Sequence, residues 1–332
     1  MRGHKPDTER GAVLLTTILV MVIMASVAVA IFDDLRYAVR RANNIQTAAQ
    51  LDLYADGAED FAAQYLAQVM GTASPAQMNA GLNAPEPIIF PLDNGVMTLS
   101  VRDGSQCLSL TQMNRGNGRR NFRQLLEVMG VPTSQAAQMT SAVADWQDPD
   151  SAPLPGGAED GYYLALDPPY RTANTPMSSP QELRAVRGFD AALVSRLRPY
   201  ICARPDPAQS RINLNTLTAD YVPLLAAYLG GTDWIIAAKK LITNRPASGY
   251  TDATALRATP ALEGLDLRDV DIDALIFTPN YIWVEAQIRD GDIMRLRSFE
   301  FDISGGAPQI ILRRRGAEGL RPIAALSRRA TP

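Results

Sequence analysis

Five carboxylates crowd one short stretch of this 332-residue chain: Asp145, Asp148, Asp150, Glu159 and Asp160 lie within about 16 positions, interrupted by Pro149, Pro153, Pro155 and Gly156-Gly157. Oxygen-rich loops of this kind suit hard divalent cations, since calcium collects roughly 6–8 oxygens from carboxylates, carbonyls and water in flexible geometry. No thiol or imidazole lies near enough in sequence to favour zinc or copper. The spacing D-x-[DN]-x-[DN]-G is absent, so the loop is not an EF-hand. Two other readings stay open: a solvated acidic loop in which some carboxylates cap helices, and a glycosidase-like carboxylate pair, for which only Trp146, Tyr162 and Tyr163 offer a sugar-stacking surface.

Other chemistry is largely excluded. The single histidine, His4, precedes the first apolar run, which removes imidazole general bases, His-ligated zinc and Ser-His-Asp triads from the folded body. No G-x-x-x-x-G-K-[ST] or G-x-G-x-x-G sequence occurs. A formal net charge of −3 argues against a nucleic-acid partner, because phosphate affinity rests on clustered Lys and Arg. The run Ile212-Asn213-Leu214-Asn215-Thr216 resembles helix-hairpin-helix modules that bind DNA, yet Gly230-Gly231-Thr232-Asp233 sets an acid beside the turn and only Lys239-Lys240 lie nearby. No turnover is expected.

The elements that must carry the acidic loop follow from periodicity. Ala12 to Phe32 is uncharged and close to the ~20 residues a helix needs to cross hydrocarbon, which predicts a membrane partner. It could be a secretory signal cut at Ala28-Val29-Ala30, a plain anchor, or a pilin-type segment behind a short leader, residues 1–11. Beyond it, Leu35, Val39, Ala42, Ile45, Ala49, Leu53, Phe61, Tyr65 and Val69 recur at three- and four-residue steps, which predicts an amphipathic extension of the same helix over 33–70. Gly71 to Pro87 reads as a connecting loop. Ile88-Ile89-Phe90, Asp93-Asn94-Gly95 and Val96–Arg102 read as a hairpin; Tyr281–Arg289, Ile293–Asp302 and Gln309–Leu312 add three more strands. Between them lie helical segments near 121–130, 134–146, 180–188, 190–197, 218–229 and 234–244. The expected fold class is α+β: a long N-terminal helix packed on an antiparallel sheet (71–112 and 280–316), with a large all-α domain (113–279) inserted between strands. Arg313, Arg314, Arg315, Arg321, Arg328 and Arg329 read as a solvated basic end, flexible over 317–332.

Together, the Arg10-Gly11 junction ahead of the apolar helix, the hairpin, DWQDPDSAPLPGGAEDGYY (145–163), YRTANTPMSSPQELRAV (170–186) and INLNT (212–216) resemble minor pseudopilin K of bacterial type II secretion systems, over nearly the whole chain. The resemblance implies a pilin-like body interrupted by an α-domain and a prepilin peptidase that cuts between Gly11 and Ala12. It also implies an inner-membrane helix with a cytoplasmic N-terminus and periplasmic body, and a place at the pseudopilus tip with minor pseudopilins I and J, other pseudopilins and inner-membrane secretion components. A type IV pilus minor pilin is the alternative, and a membrane-anchored periplasmic hydrolase a further one. The family's α-domain is associated with structural calcium, which adds to the cation reading of the acidic loop. Two positions depart from the pattern. Thr16 stands where pilins carry a membrane-buried glutamate at mature position five, and a carboxylate there is costly unless paired; Leu108-Ser109-Leu110-Thr111 replaces an asparagine-bearing run. With the body outside the cytoplasm, Cys107 and Cys202 either form a bridge, contributing about 4–5 kcal/mol in the chain-entropy model, or stay as two buried thiols.

Overall fold

The computed structural model describes residues 8–83, 86–205, 211–268 and 270–316. Most of the expected leader, His4 included, and the expected basic tail from 317 lie outside the described residues. One helix, α1 (Thr8–Thr72, 65 residues), runs unbroken through the apolar stretch and its extension, about 97 Å at 1.5 Å per residue. Its first part is exposed along its whole circumference, with Leu15 at 72% and Met21 at 70%, and it is long and apolar enough to cross a membrane. The helix also continues N-terminal to Ala12 rather than starting there.

The second half of α1 lies on a sheet, but on a different face from the one the spacing suggested. The buried row is Leu51, Ala55, Ala58, Ala62 and Leu66, while Leu53 is 73% exposed. Leucine and valine draw the eye in a sequence; here alanines make the seam because small side chains let the helix axis approach strand residues Leu99, Val284, Ala286 and Phe299 closely. Charge then fixes the helix along the sheet edge: Asp52 accepts from Arg295 (2.9 Å) and Arg297 (3.0 Å), and Glu59 from Arg313 (2.6 and 2.7 Å).

The five-stranded antiparallel sheet has the order β1-β2-β7-β8-β9, from β1 (Ile88–Leu92), β2 (Gly95–Asp103), β7 (Tyr281–Asp290), β8 (Ile293–Asp302) and β9 (Gln309–Arg315). The hairpins anticipated from Asp93-Asn94-Gly95 and Asp290-Gly291 are present, with Gly95 at φ 121°, where a side chain is disfavoured. Arg313–Arg315, expected in a solvated end, belong to β9, because that strand pairs with β8 as far as Arg297↔Arg315. The stretch expected as a loop over 71–87 contains a helix, α2 (Pro75–Asn83). Its start was legible as Ser74-x-x-Gln77: the Gln77 side chain accepts from the Ser74 amide (2.8 Å) and the Gln77 amide donates to Ser74 Oγ (3.3 Å).

Between β2 and β7 the chain leaves the sheet to form the helical body. It comprises α3 (Gly118–Val128), α4 (Thr133–Asp145), α5 (Asp160–Tyr163), α6 (Ala191–Leu197), α7 (Val222–Leu229), α8 (Ile235–Thr243) and α9 (Ala253–Arg257). The helix expected over 180–188 is a six-residue 3-10 turn, Pro180–Ala185, closed by a capping box from Ser179 and Glu182. Leu108 and Leu110 belong to the core of this body, whose apolar cluster is separate from that of α1 and the sheet. Two short parallel ladders, absent from the sequence reading, close the root of the insert: β3 (Leu108–Ser109) with β4 (Ile201–Cys202), and β5 (Ile212–Asn213) with β6 (Leu275–Ile276).

The alanine seam generates a test. Ala58→Leu, at a site 1% exposed, should destabilise the body by about 1–3 kcal/mol through overpacking, whereas Leu53→Ala should stay within roughly 0.5 kcal/mol of the parent. Urea unfolding of the two variants checks both.

Candidate metal centre

Helix α4 positions the acidic loop. Its apolar face, Ala136, Met139, Ala142 and Val143, is wholly buried, and the same face delivers Asp145 at the helix end with no solvent exposure. Both oxygens of Asp145 accept from the Leu154 amide (3.2 Å each), and the Ala158 amide adds a further bond. The loop therefore turns back over the end of α4. Gly157 makes the approach possible: a Cβ there would lie 1.9 Å from Asp145 Oδ2. Next to it, Gln147 donates to Leu110 O (3.0 Å) and accepts from the Met177 amide (3.0 Å), pinning the start of the loop to two other segments. Trp146 packs edge-on to Tyr163 at 5.2 Å, so this ring serves the core and not a sugar groove.

Of the five carboxylates, the fold gathers three. Asp148, Asp150 and Glu159 each bring an oxygen within 4.8 Å of the others. Asp160 is engaged elsewhere, by the Thr172 amide (2.9 Å), Thr172 Oγ1 (2.8 Å) and Arg171 (3.1 Å), bonds that hold its carboxyl below the usual range. Asp145 borders the trio while serving as the internal acceptor for the loop amides.

The trio is electrostatically incomplete. Glu159 is 6% exposed, and its Oε1, like Asp148 Oδ1, is buried without a hydrogen-bond partner. Burial, followed by the charges of Asp145, Asp148 and Asp150, pushes the Glu159 carboxyl up to about 7. Burial and the neighbouring Asp150 and Asp145 likewise raise Asp148. Buried carboxylate oxygens without donors, set against one another, are stabilised either by protonation or by a cation. An all-oxygen donor set fits a hard divalent ion. Asp148 and Asp150 also line a cleft of about 730 Å³, with Arg115 and Arg119 on its wall. Burial raises the carboxyls of Asp145 and Asp148, and the charge of Arg119, to which nothing in the sequence pointed, only partly opposes that rise.

The remaining singled-out residues lie elsewhere. Cys107 and Cys202 form a disulfide, with Cα atoms 5.8 Å apart, at the root of the insert. Thr16 sits inside the apolar part of α1 and donates to Val13 O (2.9 Å), so its hydroxyl is satisfied by its own helix. Gly11 and Ala12 lie within α1. Asn213 of the INLNT run is buried on the sheet residue Asp103 and Asn215 is buried on the Tyr250 carbonyl inside the insert, so neither presents a surface to a phosphate backbone.

Comparison with known proteins decides the family. Two family models described as type II secretion system (T2SS), protein K match residues 99–206 and 212–275. The type II secretion system protein K of Pectobacterium carotovorum subsp. carotovorum is 34% identical over 93% of this chain and 97% of its own. The chain belongs to the type II secretion system protein K family. The protein K of Aeromonas hydrophila is 35% identical, over 75% of this chain and 79% of its own. Among solved structures, the crystal structure of the GspK-GspI-GspJ complex from the enterotoxigenic Escherichia coli type 2 secretion system matches with a TM-score of 0.72 and 26% identity, covering 83% of this chain and 99% of that one. The protein is thus a minor pseudopilin of the secretion pseudopilus carrying an N-terminal helix long and apolar enough to anchor it in a membrane, and the type IV pilus and hydrolase readings are not favoured.

The raised Glu159 carboxyl has a signed consequence. A group whose folded pKa, about 7, lies above its ordinary 4.5 stabilises the fold when protonated, and that stabilisation is lost as pH rises through this window. In chelator-treated protein, Glu159→Gln should leave the melting temperature unchanged near pH 4.5 and raise it near pH 7.5. Scanning calorimetry at both pH values reads the difference.

Proposed function

We propose that the protein works by assembly and without turnover, at the tip of the pseudopilus with minor pseudopilins I and J. The observation that carries this reading is the extent of the structural match: 99% of the GspK chain, taken from a complex with GspI and GspJ, superposes on this one. Thr16 is consistent with a terminal position. A subunit with nothing stacked ahead of it meets no free amine there, and an unpaired carboxylate in hydrocarbon would cost several kcal/mol, on the order of the ~3 kcal/mol of insertion scales or more. In this reading the N-terminus is cytoplasmic, α1 crosses the inner membrane once, and prepilin peptidase cuts between Gly11 and Ala12. Co-expressed with its partner pseudopilins and the peptidase, the protein should begin at Ala12 by mass spectrometry and co-elute with I and J as a ternary complex in detergent. An uncut chain that elutes alone would refute the assignment.

The acidic loop is read as a structural calcium site. Asp148, Asp150 and Glu159 would hold the ion, which supplies the charge that the unpartnered oxygens of Asp148 and Glu159 lack; Asp145 and Gly157 shape the loop around them. Calcium at 100 times its dissociation constant should stabilise the fold by about 2.7 kcal/mol. Isothermal titration at pH 7.5 should show one site, weakened at least tenfold in Asp148→Asn/Asp150→Asn and weakened in the parent at pH 5.5, where a proton on Glu159 competes.

A further inference from the structure

The sheet and the helical insert have separate apolar cores, so what holds one to the other is the polar root between them. That root has two poles. At one, Asp103 at the end of β2 accepts from Asn213 Nδ2 (2.8 Å) and Thr216 Oγ1 (2.5 Å), while Asn79 of α2 donates to Phe277 O (2.8 Å) and accepts from Asn213 Nδ2 (2.9 Å). At the other, Arg204 reaches out of the insert into the sheet. Its Nε donates to Glu300 Oε1 (2.7 Å), its second nitrogen donates to Gly104 O, and its guanidinium lies 4.2 Å from the centroid of the Tyr281 ring. The side chains of Arg204 and Glu300 are 3% and 2% exposed.

We infer that the second pole is a redox-sensitive latch, in which the Cys107–Cys202 disulfide holds Arg204 on Glu300. The bridge joins the segment that carries Arg204 to the one that flanks its partner Glu300: Cys202 is two residues before Arg204, and Cys107 is three residues after Gly104, whose carbonyl Arg204 grips and where a Cβ would lie 3.1 Å from Glu300 Oε1. Among the described residues, the backbone pairing between these segments is short: the two-residue ladder of β3 with β4 and the Leu108 amide on Tyr200 O (2.8 Å). A buried ion pair on so short a ladder depends on geometry for its stability, since desolvated charges lose their compensation as soon as they separate. Neither cysteine carries the α1-sheet core, and the first pole contains no disulfide. Opening the latch therefore leaves both cores packed, with the insert pivoting on Asp103, Asn213 and Asn79. While the bridge is intact, the helical body moves as one piece with the sheet.

The test is hydrogen exchange on the full chain in detergent, with and without dithiothreitol. Reduction transfers two electrons and two protons to the bridge, giving two thiols, and the reagent becomes its cyclic disulfide. Amides of 107–109 and 200–204 should exchange at least tenfold faster after reduction, while those of Gly104, Ser105, α7, α8 and the centre of β7 keep their rates. The oxidised Glu300→Gln variant, its bridge intact, should accelerate less than the reduced native protein, and dithiothreitol should add nothing in Cys107→Ser/Cys202→Ser. Unchanged exchange at 107–109 and 200–204 on reduction of the native protein, or a uniform rise across both cores, would overturn the proposal; neither readout requires a variant to fold.

Discussion

A carboxylate with no access to water organises this molecule. Asp103 closes strand β2 at the point where the chain leaves the sheet, and burial drives its pKa upward against the bonds from Thr216, Ser105 and Asn213 that favour its charge. Placing such a group between two domains is expensive unless every lone pair is met. Asn213, Thr216 and the Ser105 amide meet them; the Ser105 bond is local, whereas Asn213 and Thr216 can donate in only one relative placement of insert and sheet. Asn215 extends the network by accepting from the Tyr250 amide and donating to the carbonyls of Tyr250 and Phe277. An apolar interface of similar size would tolerate sliding. A hydrogen-bonded one specifies orientation, because a displaced donor leaves a buried acceptor unsatisfied.

The acidic loop rests on the same kind of constraint, used twice with opposite results. Asp145 and Glu159 are both buried acids a few residues apart in space. Asp145 accepts from loop amides and so functions as part of the backbone scaffold. Glu159, together with Asp148, retains oxygens that no donor reaches. The first kind of carboxylate closes a loop; the second leaves buried charge that the loop's own donors do not compensate. What separates them is the local direction of amide groups, not residue type.

Helix α1 links these devices to the membrane. Its alanine row gives close approach to the sheet, and its acids pair with the arginines of β8 and β9 along one edge. Alanine contributes little apolar area, so the seam relies on contact distance and on these ion pairs to fix the helix in rotation. The exposed apolar half of the helix has no such partners in the isolated chain, which accords with a subunit whose remaining contacts lie in lipid and in neighbouring subunits.

Much of the fold was legible before any coordinates, because it depends on local pattern. The unbroken apolar run of 12–32, the alternation in 96–102 and 281–289, and the turns at Asp93-Asn94-Gly95 and Asp290-Gly291 each report a periodicity that backbone geometry imposes. So does the insertion of helices between two groups of strands. The Ser74-x-x-Gln77 cap was equally local and is recoverable from sequence. Which face of α1 is buried was not, since alanine at 55, 58 and 62 gives a weaker apolar signal than Leu53, and only the neighbouring sheet decides. The five acids were visible as a group, but their division into scaffold, cation site and Arg171 partner depends on which amides and guanidinium groups arrive from residues 154, 158, 171 and 172. Arg204 and Glu300, separated by 96 positions, carry no signal at all in one dimension. Sequence determines what is periodic; charge compensation between distant segments exists only once the chain has folded and water has been excluded.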